Sequence, residues 1–302
     1  RIMNEEMAGI VKSLTLPKSD SHKGQNGRLL IIGGSHLFHA ASLWSLTVAS
    51  RIVDLVHYCS VEENNQIVHE LKKEFRNGII VPRNDVDDYI KEDDVILIGP
   101  GMTRDEETKI LTDRLLQKYP EKQWVIDAGA LQMMELSHIP KNAILTPHHQ
   151  EFELLLRRAL GSNENLDPSS VPTASSPLTP SLRGSEAGQN FVRSPREGVL
   201  NFAKKYNCIV LLKGKDDVAS NGKETRVIEG GNAGMTKGGT GDVLAGLIAG
   251  LSCTNDPWTA TLAGSFINKK AGDDLYQTMG PFFNATDLAN QIPKTMSRLL
   301  NL

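Results

Sequence analysis

Much that would mark a familiar class of protein is scarce in this 302-residue chain, and each scarcity closes off a kind of function. Cysteine occurs three times, at Cys59, Cys208 and Cys253, far apart and with no C-x-x-C spacing. That leaves no basis for a disulfide framework or a common zinc or redox motif, and the three read as small buried hydrophobes in a reducing compartment. No apolar run approaches the ~20 residues of a membrane span, and the N-terminal stretch lacks a signal-peptide core. The cytoplasm is the expected compartment. Positive charge is not in excess, since 33 Lys and Arg face 36 Asp and Glu for a formal net charge of -3. Neither nucleic acid nor a membrane is therefore an expected partner, and no basic or aromatic patch marks a docking surface.

What is present is an ordinary globular composition, 39% hydrophobic and 23% charged, enough to bury a large core. A chain that opens on Arg1 rather than Met reads as a fragment or a processed form. From Arg28 to about Leu160, short β-branched runs such as "RLLIIGG", "VILIGPG" and "QWVIDAG" alternate with helical patterns such as "DEETKILTDRLLQKY". Such alternation predicts βαβ units, a mostly parallel sheet and helices on both faces. Several strands end in glycine or proline, at Gly33 and Gly34, Gly99 to Gly101, Asp127 to Gly129 and Thr146 to His149. In an open α/β sheet those carboxyl ends line the ligand crevice. Residues 161–195, rich in Ser and Pro, interrupt the pattern and read as a surface insertion. Beyond them a hairpin is expected with "NG" at its turn, and the remainder is helical.

The stretch "GGNAGMTKGGTGDVLAGLIAGL", Gly230 to Leu251, carries the chemistry. It is neither a Walker loop, because Gly238 follows Lys237, nor a first βα turn of a dinucleotide fold. Even so, Gly238, Gly239 and Gly241 allow close backbone approach, and the helix that follows aims free N–H groups at whatever lies above Thr240 and Gly241. Such a nest stabilises a phosphoryl group in transfer, with Asp242 placed to accept the proton of an attacking hydroxyl. Asp242 could equally be a plain helix cap, and the helix dipole is expected to lower its pKa. Four glycines within Gly234–Gly241 give up more chain entropy than a cap requires and favour the catalytic reading.

That loop, together with "HKGQNGRLLIIGGS", "IGPGM", "LTPHHQEFELL" and "VLLKGKDD" in this order, resembles the NAD(P)H-hydrate dehydratase family of the ribokinase-like superfamily. The resemblance spans about Pro17 to about Ala289 apart from the insertion. It implies a three-layer αβα sandwich, with residues 17–302 as the domain and 1–16 as an N-terminal extension. It implies repair of the S epimer of hydrated NADH or NADPH, by phosphorylation of the added hydroxyl and loss of phosphate. The form "GGTGDVLAG" is similar to bacterial and archaeal members, which use ADP where eukaryotic ones use ATP.

Carried onto this chain, the resemblance makes Asp242 the base and the N–H groups of Gly239, Thr240 and Gly241 the anion hole. It assigns the nucleotide to Lys213, Gly214, Lys215, Asp216 and Asp217, and to Asn232, Ala233, Gly234, Met235, Thr236, Lys237 and Gly238 through Gly241. Substrate contacts fall on Ala40, Gly101 and His148, with Glu151, Phe152 and Asp242 beside them. Mg²⁺ is the expected companion of the nucleotide, and a homo-oligomer, a tetramer, the expected assembly. One departure is His39 before Ala40, where the family commonly has Gly, and it implies a narrower substrate mouth. Two other readings share these residues: a small-molecule kinase of the same fold, for a sugar, hydroxymethylpyrimidine or hydroxyethylthiazole, and a catalytically silent nucleotide-binding module.

Overall fold

The computed structural model describes residues 2–161 and 194–302. The stretch read as a surface insertion lies almost wholly outside the described residues. In chain order the elements are α1 (Ile2–Lys12), β1 (Arg28–Ile32), α2 (Ala41–Ala49), β2 (Leu55–Cys59), α3 (Glu62–Leu71), β3 (Ile79–Ile80), α4 (Val86–Glu92) and β4 (Val95–Ile98). There follow α5 (Glu106–Lys118), β5 (Gln123–Ile126), α6 (Ala128–Met133), β6 (Ile144–Leu145), α7 (His149–Ala159) and α8 (Pro195–Tyr206). The chain ends with β7 (Ile209–Leu212), β8 (Asp217–Ser220), β9 (Thr225–Ile228), α9 (Thr240–Ser252), α10 (Pro257–Met279) and α11 (Ala285–Leu300).

The strands form one nine-stranded sheet in the order β3-β2-β1-β4-β5-β6-β7-β8-β9. It is parallel from β3 to β7, and β8 and β9 add an antiparallel hairpin at one edge, as the "NG" turn predicts. Alternation along the strands fills both faces. On one, Leu29, Ile31, Val95 and Leu97 pack with α2, α9, α10 and α11. On the other, Leu30, Ile32, Ile96 and Ile98 pack with α4 to α8. This is the three-layer αβα sandwich, and its central strands are apolar throughout because both faces are covered. The stretch read as an extension carries α1, whose Met7 and Val11, with Leu14 just after it, are buried in the first of these cores.

The strand order reverses between β1 and β4, the switch point where a crevice opens above the carboxyl ends. There Gly34 N–H donates to Pro100 O at 2.7 Å, bringing the two glycine-bearing strand ends together.

Candidate active site

The glycine loop runs from the end of β9 into α9, and Gly239 makes its turn possible. Its φ is +93°, and a Cβ there would lie 2.3 Å from two ring carbons of Trp44. Thr240 locks the loop from within, its hydroxyl donating to Met235 O at 2.7 Å and Lys237 O at 2.9 Å. The Thr240 N–H leans toward Lys237 O at 3.4 Å, whereas the N–H of Gly241 has no partner among the described residues. An anion above the helix start therefore meets open donors and the positive end of α9.

Two cavities flank this turn. One of about 600 Å³ is walled by the strand-end loop at Lys213 to Lys215, by Asp217, by the loop from Gly230 to Thr236, by Thr240 and Gly241, and by Asn268 and Lys269 of α10. The other, of about 590 Å³, lies over the switch point and includes Ala41, Gly101, Ala128, His148, Glu151 and Asp242. Gly241 and Asp242, neighbours in sequence, thus face different cavities.

A charged cluster fills the junction. Lys213 Nζ donates to Asp127 Oδ1 at 3.1 Å, and Thr146 Oγ1 donates to the same oxygen at 2.9 Å. The ammonium also lies 3.3 Å from where a Cβ on Gly241 would stand. Burial alone would lower the Lys213 pKa, but the carboxylates of Asp127, Glu151 and Asp242 outweigh it and hold the group charged. The dipole expectation for Asp242 is reversed here. Burial, then repulsion from Asp127, pushes its carboxyl up to about 7 despite the pull of Lys213. A helix end acts through partial charges, and a full negative charge across a poorly solvated gap overrides it. Asp127 follows β5 at the start of α6, beside Ala128, which is held at φ 46°. For a residue with a Cβ that backbone costs about 1–2 kcal/mol, a strain of the kind found at functional sites.

His148 and Glu151 form a reciprocal cap at the start of α7: the His148 N–H donates to Glu151 Oε2 at 2.9 Å, and the Glu151 N–H reaches His148 Nδ1 at 3.4 Å. Gln132 donates to the other Glu151 oxygen at 2.9 Å. Burial, with Lys213 adding to it, lowers the His148 pKa and favours a neutral imidazole.

Some expected residues stand elsewhere. Ala41 rather than Ala40 lines the second cavity, with Ala40 the exposed residue capping α2. Phe152 turns away from the cavity that Glu151 lines, its ring 5.8 Å from that of Phe202 in the core, because one step along α7 rotates the side chain by about 100°. His39 is turned to Asn64 at 2.6 Å and is not part of the cavity wall, so it does not narrow the mouth. Lys237 Nζ sits 5.4 Å above the Phe283 ring, and Asp216, Gly234, Gly238 and Gly239 shape the loops without lining the first cavity. Asp217 lines it but is fully engaged, by Gly214 N at 3.0 Å, Ser265 Oγ at 2.8 Å and Lys269 Nζ at 3.2 Å.

Sequence reasoning missed Asp127, Asn268 and Lys269. Asp127 was visible only as a polar strand end. Lys269, buried at 4% exposure, binds Lys215 O at 2.9 Å, Gly214 O at 3.2 Å and Gly230 O at 3.4 Å, tying together the two loops that frame the first cavity. Its only sequence signal is a polar run, Asn268 to Lys270, in the middle of a long helix. Cys59 and Cys208 are buried, and burial raises both thiols, Cys59 to about 11, so they are unreactive.

The sheet, its helices and a glycine loop set between two cavities define a ribokinase-like α/β protein. A family model described as NAD(P)H-hydrate dehydratase matches residues 29–294, and the chain belongs to that family. It is 31% identical over 303 residues to the ADP-dependent (S)-NAD(P)H-hydrate dehydratase of Nitrosopumilus maritimus, covering 95% of this chain and 94% of that one. It is 32% identical over 295 residues to the bifunctional NAD(P)H-hydrate repair enzyme Nnr of Methanocaldococcus jannaschii, covering 95% of this chain and 52% of the relative. The chain thus spans about half the length of the bifunctional relatives it matches. The ADP/ATP-dependent NAD(P)H-hydrate dehydratase of Bacillus subtilis, solved after co-crystallisation with ATP and Mg²⁺, shares the fold at a TM-score of 0.72 and 22% identity, covering 97% of each chain.

Proposed function

We propose that the chain is an ADP-dependent (S)-NAD(P)H-hydrate dehydratase, with residues 17–302 as its catalytic domain. The observation that carries this is the division of labour at the first turn of α9: Gly241 opens on one cavity and Asp242 on the other. ADP occupies the cavity of Lys213, Gly214 and Gly241, and the hydrated nicotinamide occupies that of Gly101, His148 and Asp242. A phosphoryl group passing between them crosses the turn where free N–H groups and Lys213 stand ready for its charge.

Asp242 takes the proton of the ring hydroxyl as its oxygen bonds to the terminal phosphorus of ADP, and the bond to AMP breaks. Hydroxide is a poor leaving group and phosphate a good one. The lone pair of the ring nitrogen then expels phosphate, and loss of a proton from the neighbouring carbon restores the double bond. A carboxyl with a pKa of about 7 suits the first step, because it is basic enough to take a proton and is still half ionised at neutral pH.

Among the described residues no cluster of three acidic, His or Cys side chains could hold a bare metal ion. Mg²⁺ fits as a companion of the nucleotide, since it is commonly held by one or two carboxylates and substrate phosphates. Asp127, with only Oδ1 engaged, is the residue that would hold it, and the ion would neutralise phosphate charge. One relative is named for NAD(P)H-hydrate repair and the other as an NAD(P)H-hydrate dehydratase, which favours this reading over the small-molecule kinase that the loop alone would serve equally. A homo-tetramer belongs to the same proposal and is tested by light scattering.

The test is recovery of NADPH absorbance from hydrated NADPH with ADP or ATP and Mg²⁺. Asp242→Asn should fold, melt no lower than the parent at pH 8, and lose at least ~100-fold in rate. Near-normal turnover would remove Asp242 as the base, and accumulation of a stable phosphorylated product would move the assignment to a kinase.

A further inference from the structure

The charged residues on the wall of the second cavity are unevenly divided. Glu151, at 5% exposure, and the half-buried Asp242 are acidic, and a third carboxylate, Asp127, lies near enough to repel Asp242. Lys213 lines the other cavity and is taken up by Asp127 at 3.1 Å. Among the described residues the one permanent cation on this wall is Arg104, in the loop between β4 and α5.

Arg104 has no hydrogen-bond or ion-pair partner among the described residues, although Asp105, Glu106 and Glu107 follow it directly. Asp105 is spent on capping α5, where it accepts from Thr108 N at 2.8 Å and from Thr103 Oγ1. The Arg104 side chain is exposed, as are Leu37 at 68% and Phe38 at 50% on the same wall. These three mark the open mouth of the cavity, and Glu151 marks its floor.

A hydrated nicotinamide dinucleotide carries at least two phosphate charges, which the carboxylates at the floor would repel. Resting on the substrate reading above, we propose that Arg104 is a binding residue for the substrate, its guanidinium taking a phosphate of the dinucleotide at the mouth of the cavity. The planar fork of an Arg side chain matches two phosphate oxygens at once. Phosphates held at the mouth leave the nicotinamide ring to enter toward Asp242, so Arg104 binds and orients and takes no part in the bond changes. Its charge also selects for anionic substrates over the neutral alcohols that a small-molecule kinase would take.

The test is fluorescence titration of the full chain with NADPH, the reaction's product, for wild type, Arg104→Gln and Arg104→Lys, read beside calorimetric ADP binding and the NADPH-recovery assay. Arg104→Gln should weaken NADPH binding about 10-fold and raise KM for hydrated NADPH alike, with kcat and ADP affinity unchanged. Arg104→Lys, which keeps the charge and loses the fork, should fall between the two. Added salt should weaken NADPH binding to wild type more than to Arg104→Gln. The same titrations with NADH say which phosphate is held: an equal loss for both ligands places Arg104 on the pyrophosphate, and a loss for NADPH alone places it on the ribose 2′-phosphate. Unchanged NADPH affinity in Arg104→Gln overturns the proposal, and so does a parallel loss of ADP affinity, which would mark a general disturbance of the site. The expected loss of NADPH binding in a protein that restores no NADPH would leave Arg104 in its role and overturn the dehydratase reading. A wild type that neither binds NADPH nor restores it would overturn both.

Discussion

Gly238 and Gly239 stand side by side in the loop, and alanine at the two positions should have opposite fates. At Gly239 the backbone is left-handed, φ +93°, which costs a residue with a Cβ about 1–2 kcal/mol. The added carbon would fall 2.3 Å from Trp44 and 2.8 Å from the Ala285 Cβ. Carbon contacts settle at about 3.5–4.0 Å, so the indole would have to retreat by roughly 1.2 Å or more. That ring is tethered by its Nε1, which donates to Thr286 Oγ1 at 3.1 Å. Overpacking of this sort adds about 1–3 kcal/mol, for a sum of about 2–5 kcal/mol. At Gly238 nothing lies within 4 Å of the added carbon, and the change should stay within about 0.5 kcal/mol. Urea unfolding measures both. With a slope of about 3 kcal/mol per M, Gly239→Ala should lower the midpoint by about 1 M while Gly238→Ala leaves it in place. ADP affinity should fall with Gly239→Ala because the start of α9 is displaced. Equal midpoints for the two variants would refute the account of the loop.

The raised pKa of Asp242 sets a pH dependence: protonated, it cannot act as a base, so kcat/KM should fall below about pH 7 and level off above it. Initial rates between pH 5 and 9 report this, and a midpoint at the ordinary carboxylate value of about 4 would contradict the burial and repulsion described here. Lys213→Met removes the cation that faces Asp127, Glu151 and Asp242, so the same midpoint should move upward and the rate drop by roughly 100-fold. An unmoved midpoint in that variant would show that Lys213 does not hold Asp242 down. Lys269→Met leaves Asp217 buried without its ion partner and should cost about 3–5 kcal/mol in urea unfolding, with weaker ADP binding. A loss below about 1 kcal/mol would mean that the three loop carbonyls and Asp217 are held by something else.

The layered sheet was legible because runs such as "RLLII" and "VILI" are apolar on consecutive residues, which only a strand covered on both faces requires. The glycine loop was legible from its density of glycine, and Lys213, Gly101, His148 and Glu151 only through the family resemblance of the blocks that hold them. The sign of the Asp242 shift was not, because sequence shows a helix beginning near that residue but not that its carboxyl is buried, nor that Asp127, distant in sequence, faces it. Asn268 and Lys269 were hidden for a related reason. Their helix carries several polar residues, Asn268 to Lys270 and Asp273 and Asp274 among them, and nothing local says which of these meet a cavity. The shift from Ala40 to Ala41 is a single step along a helix start, where about 100° of rotation separates an exposed position from one facing the crevice.

The two cavities draw on separate stretches of chain. Every wall residue of the donor side lies between Lys213 and Lys269, and every wall residue of the substrate side lies between Leu37 and Leu154, except Asp242. Among the described residues Asp242 is the one wall residue that the late segment lends to the cavity of the early segment, while the Lys213–Asp127 pair ties the two segments beside it. Recombining the early segment of one relative with the late segment of another, joined between Leu154 and Lys213, would exchange the acceptor pocket while the donor pocket and the base travel together.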